Sequence, residues 1–281
     1  MFIGSEAIRS GRLTRGQLRW HYTAIHPDVY VGKGIERTLE VNTQAASLWV
    51  ADGVVAGRAA AALHEASFVG ADTPIELIGP GRRPRDGVIV REERISPDEI
   101  TQVGGIAVTT PERTALDLAR HLRRYQAVAH LDALAAAAAV DPEAVLRLAR
   151  RYRGARGVRR ARAVVPLLDP GAQSPRESWL RLVLIDGGFP RPATQIMVSD
   201  GCSTAFIDLG WEQQEIGLEY DGDQHRSDRH QFVKDIGRHE MLDNLGWLVI
   251  RVVKEHRRAH ILERVNEAFR RRSTPFLSKP A

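Results

Sequence analysis

The alternation of hydrophobic and polar residues predicts a mixture of helices and strands, and the order is clearest between Ser174 and Arg272. There the pattern predicts a helix, three strands, a second helix, a fourth strand and a final helix. Ser174, followed three residues later by Glu177, is typical of a helix start. The three consecutive strands are predicted over 194–198, 204–211 and 214–220.

The middle of the chain mixes helical and strand periodicity. Its predicted elements are helices over 42–52 and 57–66 and strands over 75–78, 87–91 and 106–109. Thr110 before Pro111 and Asp141 before Pro142 are each typical of an N-cap with proline in the first helical turn. The sequence therefore predicts an α/β fold in more than one domain.

The first thirty residues predict two short helices and then a strand. Ser5 is expected to cap the first helix, Thr14 and Gln17 form a capping-box pattern for the second, and 29–32 is rich in β-formers. This order resembles the winged-helix element at the start of AbiEi-type antitoxins, in which a helix-turn-helix precedes a β wing. A small helical cap on the next domain is the alternative interpretation.

Two segments of the middle part resemble the second domain of the same antitoxin family. They are Leu63-His64-Glu65 and the stretch from Thr110 to Ala115. The resemblance implies three domains: a winged-helix-like element at 1–36, an AbiEi-like α/β and helical domain at 37–170, and a last domain at 171–281. It also implies DNA and a toxin-like protein as partners.

The composition indicates what class of protein this is, and it says less about the function. The chain has 281 residues, more than one typical core needs. It has no apolar run near the roughly 20 residues that a membrane span requires, and its early Glu6 is unlike a secretory signal. We therefore expect a cytoplasmic protein without membrane association. Its net charge of +5 permits nucleic acid as a partner.

Arginines are densest between residues 147 and 162. This run includes Arg156, Arg159 and Arg160, which are candidates for contacts with a phosphate backbone. A solvated helical face is the alternative, because Tyr152 is the one aromatic residue that interleaves the run.

Acidic residues in the last predicted strands are the candidates for a catalytic or metal-binding site. Asp208 interrupts an apolar strand, where a charge is costly unless it is paired or bound to a metal. On the next strand, the period of two places Glu219 and Asp221 on one face. If the two strands pair as a hairpin, all three carboxylates crowd one site and repel each other. A divalent cation would remove the conflict, so the sequence predicts Mg²⁺, with Mn²⁺ as an alternative.

These residues resemble the PD-(D/E)XK nuclease superfamily. Asp208 is followed eleven residues later by Glu219-Tyr220-Asp221, on strands that come after a helix with Glu177. The match extends to the very-short-patch-repair-like branch through 219–226, 234–238 and 246–247. The resemblance covers about the last hundred residues and implies a restriction-endonuclease-like αβββαβ core.

The resemblance also implies roles for individual residues. Asp208 and Glu219 would bind the metal directly, and the carbonyl of Tyr220 could add a ligand. Glu177 would act from the first helix of the domain, and His225 would assist catalysis.

One position departs from the superfamily pattern, because Asp221 stands where the superfamily usually has lysine. The branch tolerates an acid there with a following histidine, so His225 is the candidate that positions water or protonates the leaving oxygen. Lys234 is a weaker substitute. Lys234, Arg238 and Arg226 are candidates for contacts with DNA.

The sequence thus predicts a DNA-binding protein with a metal-dependent endonuclease-type domain that hydrolyses phosphodiester bonds. The alternative is a non-catalytic, antitoxin-like transcriptional regulator with a degenerate nuclease fold. A third interpretation is a module that neutralises a toxin.

Overall fold

The computed structural model describes residues 1–81, 85–222 and 229–272, and for 229–234 it describes the backbone alone. The chain divides into two compact units, Met1–Leu168 and Asp169–Ala281. Both units combine helices with a β-sheet, so the predicted α/β class is confirmed. Among the described residues, every helix is too short or too polar to cross a membrane.

The first unit begins with a small three-stranded antiparallel sheet in the order β1-β3-β2. Its elements are β1 (Phe2–Ile3), α1 (Gly4–Arg9), α2 (Arg15–His21), β2 (Tyr22–His26) and β3 (Val29–Gly32). The capping box of Thr14 and Gln17 is present at the start of α2. Ser5 does not cap α1, because α1 already begins at Gly4 and the Ser5 hydroxyl donates to Asp28 instead. The second strand, β2, is an element that the sequence pattern did not predict.

A five-stranded mixed sheet forms the centre of the first unit, in the order β6-β5-β4-β8-β7. Its elements are α3 (Leu39–Trp49), β4 (Val54–Ala56), α4 (Gly57–Leu63), β5 (Ile75–Ile78), β6 (Val88–Arg91), β7 (Ile100–Val103) and β8 (Ile106–Thr109). Every residue of β4 and β5 is buried, as expected for strands in the middle of a sheet.

Four helices complete the first unit: α5 (Pro111–His121), α6 (Arg124–Ala138), α7 (Pro142–Arg151) and α8 (Val158–Val164). The predicted caps are present, since Thr110 accepts from the backbone N–H of Arg113 and Asp141 accepts from two N–H groups of α7. Helix α5 packs against α4, α6, α7 and α8, and its residues from Arg113 to Arg120 are all buried.

The second unit contains a four-stranded sheet in the order β12-β11-β10-β9. Its elements are α9 (Pro175–Asp186), β9 (Ala193–Ser199), β10 (Thr204–Trp211), β11 (Ile216–Tyr220), α10 (Arg229–Asn244), β12 (Leu248–Val252) and α11 (Arg258–Arg271). The first three strands are antiparallel, and β12 runs parallel to β11. Helices and strands therefore follow one another in the αβββαβ order that the pattern predicts.

Two apolar clusters hold this sheet between its helices. One cluster joins α9 and α11 to β10, β11 and β12, and it includes Leu180, Trp211 and Phe269. The other joins α10 to β9 and β10 and includes Ile207 and Leu242. Burial on both faces fixes the strands rigidly, and a polar site at one end of β10 and β11 is therefore held in place.

Candidate functional site

A cavity of about 710 Å³ opens in the second unit beside α9, β10, β11 and α10. Three acids line it: Glu177 from α9, Asp208 from β10 and Glu219 from β11. Exposed basic side chains, Arg176, Arg251 and Lys254, also line it. The cavity thus combines buried or half-buried carboxylates with exposed positive groups.

Asp208 and Glu219 each lie one residue beyond the last pair of the β10–β11 ladder, which is Leu209 with Leu218. The backbone N–H of Tyr220 donates to Oδ2 of Asp208 at 2.9 Å. The hairpin therefore holds the Asp208 carboxylate toward β11.

The environment of Asp208 disfavours its negative charge. Burial raises its pKa from the ordinary value of 3.8 to about 6, and the nearby charges of Glu177 and Glu219 add to the rise. The hydrogen bond from Tyr220 and the charge of Arg238 lower it by less. The ionised form of Asp208 is therefore costly at this site, mainly because the carboxyl is buried.

Glu219 is held by two side chains of α10. Its Oε1 lies 2.5 Å from Nη2 of Arg238, and its Oε2 lies 3.5 Å from Nε2 of His239. Arg238 also donates to the carbonyl of Phe206. Arg238, which the sequence gives as a candidate for contact with DNA, thus contacts an acid of the site in the structure.

Glu177 is almost fully buried, and it serves both the helix and the cavity. Ser174 caps α9 by accepting from the N–H of Glu177. The Glu177 carboxylate accepts from the N–H of Gln173 at 2.8 Å and from Nε2 of Gln195 at 3.4 Å. Glu177 therefore belongs to the first turn of α9 and is also the third acid of the cavity, with Asp208 and Glu219.

Asp221 lines the cavity, but it makes an ion pair of 2.9 Å with Arg251. Asp208, Glu219 and Asp221 therefore line one cavity, and Arg251 offsets the charge of Asp221. The catalytic role of Asp221 stays a prediction.

The remaining predicted residues of this site are only partly described. His225 and Arg226 lie outside the described residues, and Lys234 belongs to α10 with its backbone alone described. Tyr220 is half-buried, with its ring edge-on to Trp179 and the Arg176 guanidinium 5.9 Å from its centre.

The arginine run of the first unit lies on α7, α8 and the segment between them. Arg156, Arg159 and Arg160 are all exposed, as a phosphate-binding surface and a solvated face both require. Arg160 donates to the carbonyl of Leu122, and the carbonyl of Arg156 accepts from Arg120. Part of the run therefore ties the helices of the first unit together.

Sequence reasoning missed a buried ionic network in the first unit. Arg113, which is fully buried, contacts Glu99 and Asp117, and Arg120 contacts Asp117 and Glu93. Burial alone would raise the pKa of Glu93, but hydrogen bonds from His121 and Arg120 hold it at about 2. Charged residues spaced three and four apart on an otherwise apolar helix are the signal that could have revealed the network.

This network also brings Glu93, Asp117 and His121 within 4.8 Å of one another. Such a trio can hold a metal ion in other proteins. Here Arg113 and Arg120 already neutralise the two acids, so the cluster has no excess negative charge that calls for a cation.

Helix α2 is the most open basic surface of the N-terminal element. Leu18 is the one residue of α2 that is buried, whereas Arg15, Arg19 and Trp20 are exposed, Trp20 by 74%. An exposed helix with cationic side chains and an aromatic ring is suited to contact with nucleic acid.

Comparison with known proteins places the chain in a family. Residues 42–169 match the family model described as the AbiEi antitoxin C-terminal domain, which confirms the resemblance seen in the middle of the sequence. Two uncharacterized proteins of Mycobacterium tuberculosis, from strains CDC 1551 / Oshkosh and ATCC 25618 / H37Rv, are each 31% identical to the chain over 208 residues, covering 72% of this chain and 77% of theirs. The resemblance of the second unit to PD-(D/E)XK nucleases stays a prediction. The chain therefore belongs to the same family as the two mycobacterial proteins, and its residues 42–169 are similar to the AbiEi antitoxin C-terminal domain.

Proposed function

We propose that the protein is an antitoxin-like DNA-binding regulator, whose first unit binds DNA and a toxin-like protein partner. The observation that carries this proposal is the match of residues 42–169 to an antitoxin domain, directly after a winged-helix-like element. That element has two helices between β1 and β2 and a β2–β3 hairpin in the position of a wing.

The DNA-binding surface would be α2. A recognition helix contacts the major groove with its exposed side chains, and Arg15 and Arg19 are of the type that contacts phosphates or guanines. Leu18 anchors the helix to the rest of the unit, so the exposed side is presented outward. The exposed Arg156, Arg159 and Arg160 are further candidates for phosphate contacts.

Binding to the DNA upstream of the protein's own gene tests this proposal. We expect Arg15→Ala/Arg19→Ala to weaken binding about tenfold or more and to reduce the slope of log affinity against log salt by about 2, because two phosphate contacts are lost. Arg270→Ala/Arg271→Ala is the matched control, since it removes two exposed arginines from the second unit. Equal affinity of both double variants for this DNA would contradict the proposed surface.

A second candidate function is metal-dependent hydrolysis of phosphodiester bonds in the second unit. It is favoured by the cavity, where Glu177, Asp208 and Glu219 meet and where burial and the two neighbouring acids disfavour the charge of Asp208. Carboxylate oxygens are the ligands that Mg²⁺ prefers, and Mn²⁺ accepts the same set. The donor set therefore fits such a cation, with the Tyr220 carbonyl as a further candidate ligand.

When bound, Mg²⁺ would polarise the phosphodiester and lower the pKa of a bound water. The protein's own residues would do the rest. Tyr220 orients Asp208 through its backbone N–H, and Arg238 orients Glu219. The exposed Arg176 is placed to hold a phosphate at the mouth of the cavity. His225 remains the candidate for moving a proton, and Lys234 and Arg226 remain candidates for DNA contacts.

Cleavage of supercoiled and single-stranded DNA with Mg²⁺ or Mn²⁺ tests the second candidate. We expect the wild type to cut, Asp208→Ala to lose cutting, and the exposed control Asp243→Ala to retain it. Calorimetric titration with Mg²⁺ alone gives an independent readout of the carboxylate site. If the wild type binds DNA but neither binds Mg²⁺ nor cuts, the second unit is a degenerate domain and the regulator function stands alone.

A further inference from the structure

Arg251 brings a positive charge to the carboxylate cavity from β12, the strand at one edge of the sheet. In the parallel ladder it is paired with Glu219 of β11, and neighbouring strands lie roughly 4.8 Å apart. The Arg251 side chain is 50% exposed, so a ligand in the cavity can reach it. A basic residue therefore neighbours one of the acids that are proposed to hold Mg²⁺.

The guanidinium of Arg251 is oriented by Asp221. Its Nη2 donates to Oδ2 of Asp221 at 2.9 Å. The backbone of Asp221 is fixed in turn, because its N–H donates to the carbonyl of Val252 at 2.8 Å. The carbonyl of Arg251 accepts from Nη1 of Arg264 on α11 at 2.7 Å, which holds the backbone of Arg251 as well. Both members of the ion pair are thus placed by rigid elements before a ligand arrives.

Stability alone does not account for this ion pair. Ion pairs with exposed members contribute little to the free energy of unfolding, and these two side chains are 50% and 25% exposed. A guanidinium has five N–H donors. Among the described residues, Asp221 provides the one contact of the Arg251 guanidinium, and it engages a single nitrogen. The remaining donors are available to a ligand in the cavity.

The other arginines of the cavity are held differently. Arg238 already makes an ion pair with Glu219 and donates to a backbone carbonyl. Arg176 lies against the ring of Tyr220, 5.9 Å from its centre. A contact with a ring does not direct the N–H groups of an arginine as a carboxylate does. Arg251 is therefore the arginine that combines a directed guanidinium with available donors.

A guanidinium that is directed by one nitrogen and open at the others is suited to a phosphate. Arginine binds phosphate oxygens by charge-assisted hydrogen bonds, frequently two at a time. A cation at Asp208 and Glu219 would bring a phosphate to the acids of the cavity, and Arg251 and Lys254 line the same cavity. The cavity thus offers the phosphate a cation from one set of residues and N–H donors from another.

We propose that Arg251 binds the phosphate that lies at the carboxylates, and that Asp221 is the positioning residue that directs Arg251 toward it. This inference rests on the proposed phosphodiester site. It assigns the phosphate contact of that site to β12 and gives the acid after β11 a role that acts through an arginine.

Calorimetric titration of the full chain with thymidine bisphosphate in excess Mg²⁺ tests the phosphate contact. This nucleotide carries a phosphate on each sugar hydroxyl and has no phosphodiester bond that could be cut. We expect Arg251→Ala to weaken binding about tenfold or more, because hydrogen bonds between charged groups are strong. Arg251→Lys should bind with intermediate affinity, since lysine keeps the charge without the fork of donors. Arg258→Ala is the matched control and should bind as the wild type does, because Arg258 is 44% exposed and its ion pair is with Asp186.

A double-mutant cycle tests the role of Asp221. With Arg251 present, Asp221→Asn should weaken nucleotide binding severalfold, because the guanidinium is no longer directed by a charged partner. In Arg251→Ala, the same substitution should leave the affinity unchanged or raise it, because the carboxylate then only repels the phosphate. A higher affinity in both backgrounds would overturn the positioning role of Asp221.

Titration with Mg²⁺ alone separates this inference from the proposed function. Arg251→Ala should bind Mg²⁺ at least as tightly as the wild type, since it removes a positive charge near the carboxylates. If the wild type binds Mg²⁺ and Arg251→Ala binds the nucleotide within roughly twofold of the wild type, the inference is overturned and the metal site stands. If the wild type does not bind Mg²⁺, the second candidate function falls. The same comparison of nucleotide affinities without Mg²⁺ then decides whether Arg251 binds phosphate, with a loss of about tenfold supporting it and equal affinities overturning it.

Discussion

Replacing Asp208 by asparagine tests whether the buried site disfavours the negative charge of Asp208. The substitution keeps the shape of the side chain, and the amide oxygen can still accept the hydrogen bond from the N–H of Tyr220. It removes the charge that burial, Glu177 and Glu219 disfavour. We therefore expect the variant to have a larger free energy of unfolding than the wild type at neutral pH.

The size of this effect follows from the pKa of Asp208. Each tenfold change in an ionisation equilibrium corresponds to about 1.4 kcal/mol, so a rise from 3.8 to about 6 costs the folded protein about 3 kcal/mol once the group is ionised. The cost is absent below the unfolded-state pKa, grows as the pH rises from about 4 to 6, and is constant above that range. The stabilisation by Asp208→Asn should therefore be small near pH 4 and close to its full value near pH 7.5.

Urea unfolding followed by tryptophan fluorescence at about pH 4 and about pH 7.5 measures this dependence. Asp243→Asn is the matched control, because Asp243 is exposed in the same unit, and its effect should be below about 0.5 kcal/mol at both pH values. Adding about 10 mM Mg²⁺ should raise the stability of the wild type and not that of Asp208→Asn. A stabilisation that is absent, or equal at both pH values, would refute the reasoning.

Three further substitutions test the described packing by urea or thermal unfolding. Arg113→Leu removes the fully buried cation that contacts both Glu99 and Asp117 and should cost about 3–5 kcal/mol. The exposed control Arg147→Leu should cost less than about 1 kcal/mol, and similar losses in both would contradict the buried network. Ser174→Ala should lower the free energy of unfolding by about 1 kcal/mol, because it removes the N-cap of α9. Ser174→Asp should keep most of the wild-type stability, because aspartate is also a good N-cap. Gly157→Ala should cost more than about 1 kcal/mol, because φ is +83° there and the new Cβ would meet the carbonyl of Arg120; a neutral effect would show that the loop relaxes.

The element order of the second unit could be predicted from sequence, because its strands are long and apolar and its turns are marked. The strand Thr204–Trp211 has the predicted bounds for this reason. Four short strands of the first unit were missed, and two of them, Phe2–Ile3 and Val54–Ala56, have two and three residues, too few to show a period. Tyr22–His26 and Ile100–Val103 each have exposed or half-buried positions along most of their length, so neither shows a clear apolar period.

The candidate site was predictable where a charge interrupts an apolar strand, as with Asp208. Glu177 could not be assigned from sequence alone, because an acid at the third position of a helix looks the same whether it caps the helix or lines a cavity. The contact with Gln195 from β9 decides the matter, and such a contact depends on tertiary packing. The ion pair of Asp221 with Arg251 could not be predicted either, because Arg251 lies on β12, whose pairing with β11 depends on tertiary packing.

The two proposed functions differ in what neutralises the acids of the second unit. A degenerate nuclease fold can replace the lost cation by a basic side chain, and Arg238 beside Glu219 is the residue of this chain that could do so. The charge of Arg238 lowers the pKa of Asp208, but burial, the largest cause, together with Glu177 and Glu219 raises it to about 6. Burial also raises the pKa of Asp117, which two arginines contact, so the raised pKa of Asp208 does not by itself separate the two functions. Binding of Mg²⁺ by the wild type and not by Asp208→Asn would favour a cavity that still takes a cation, and no binding by either would favour one in which Arg238 has taken the cation's place.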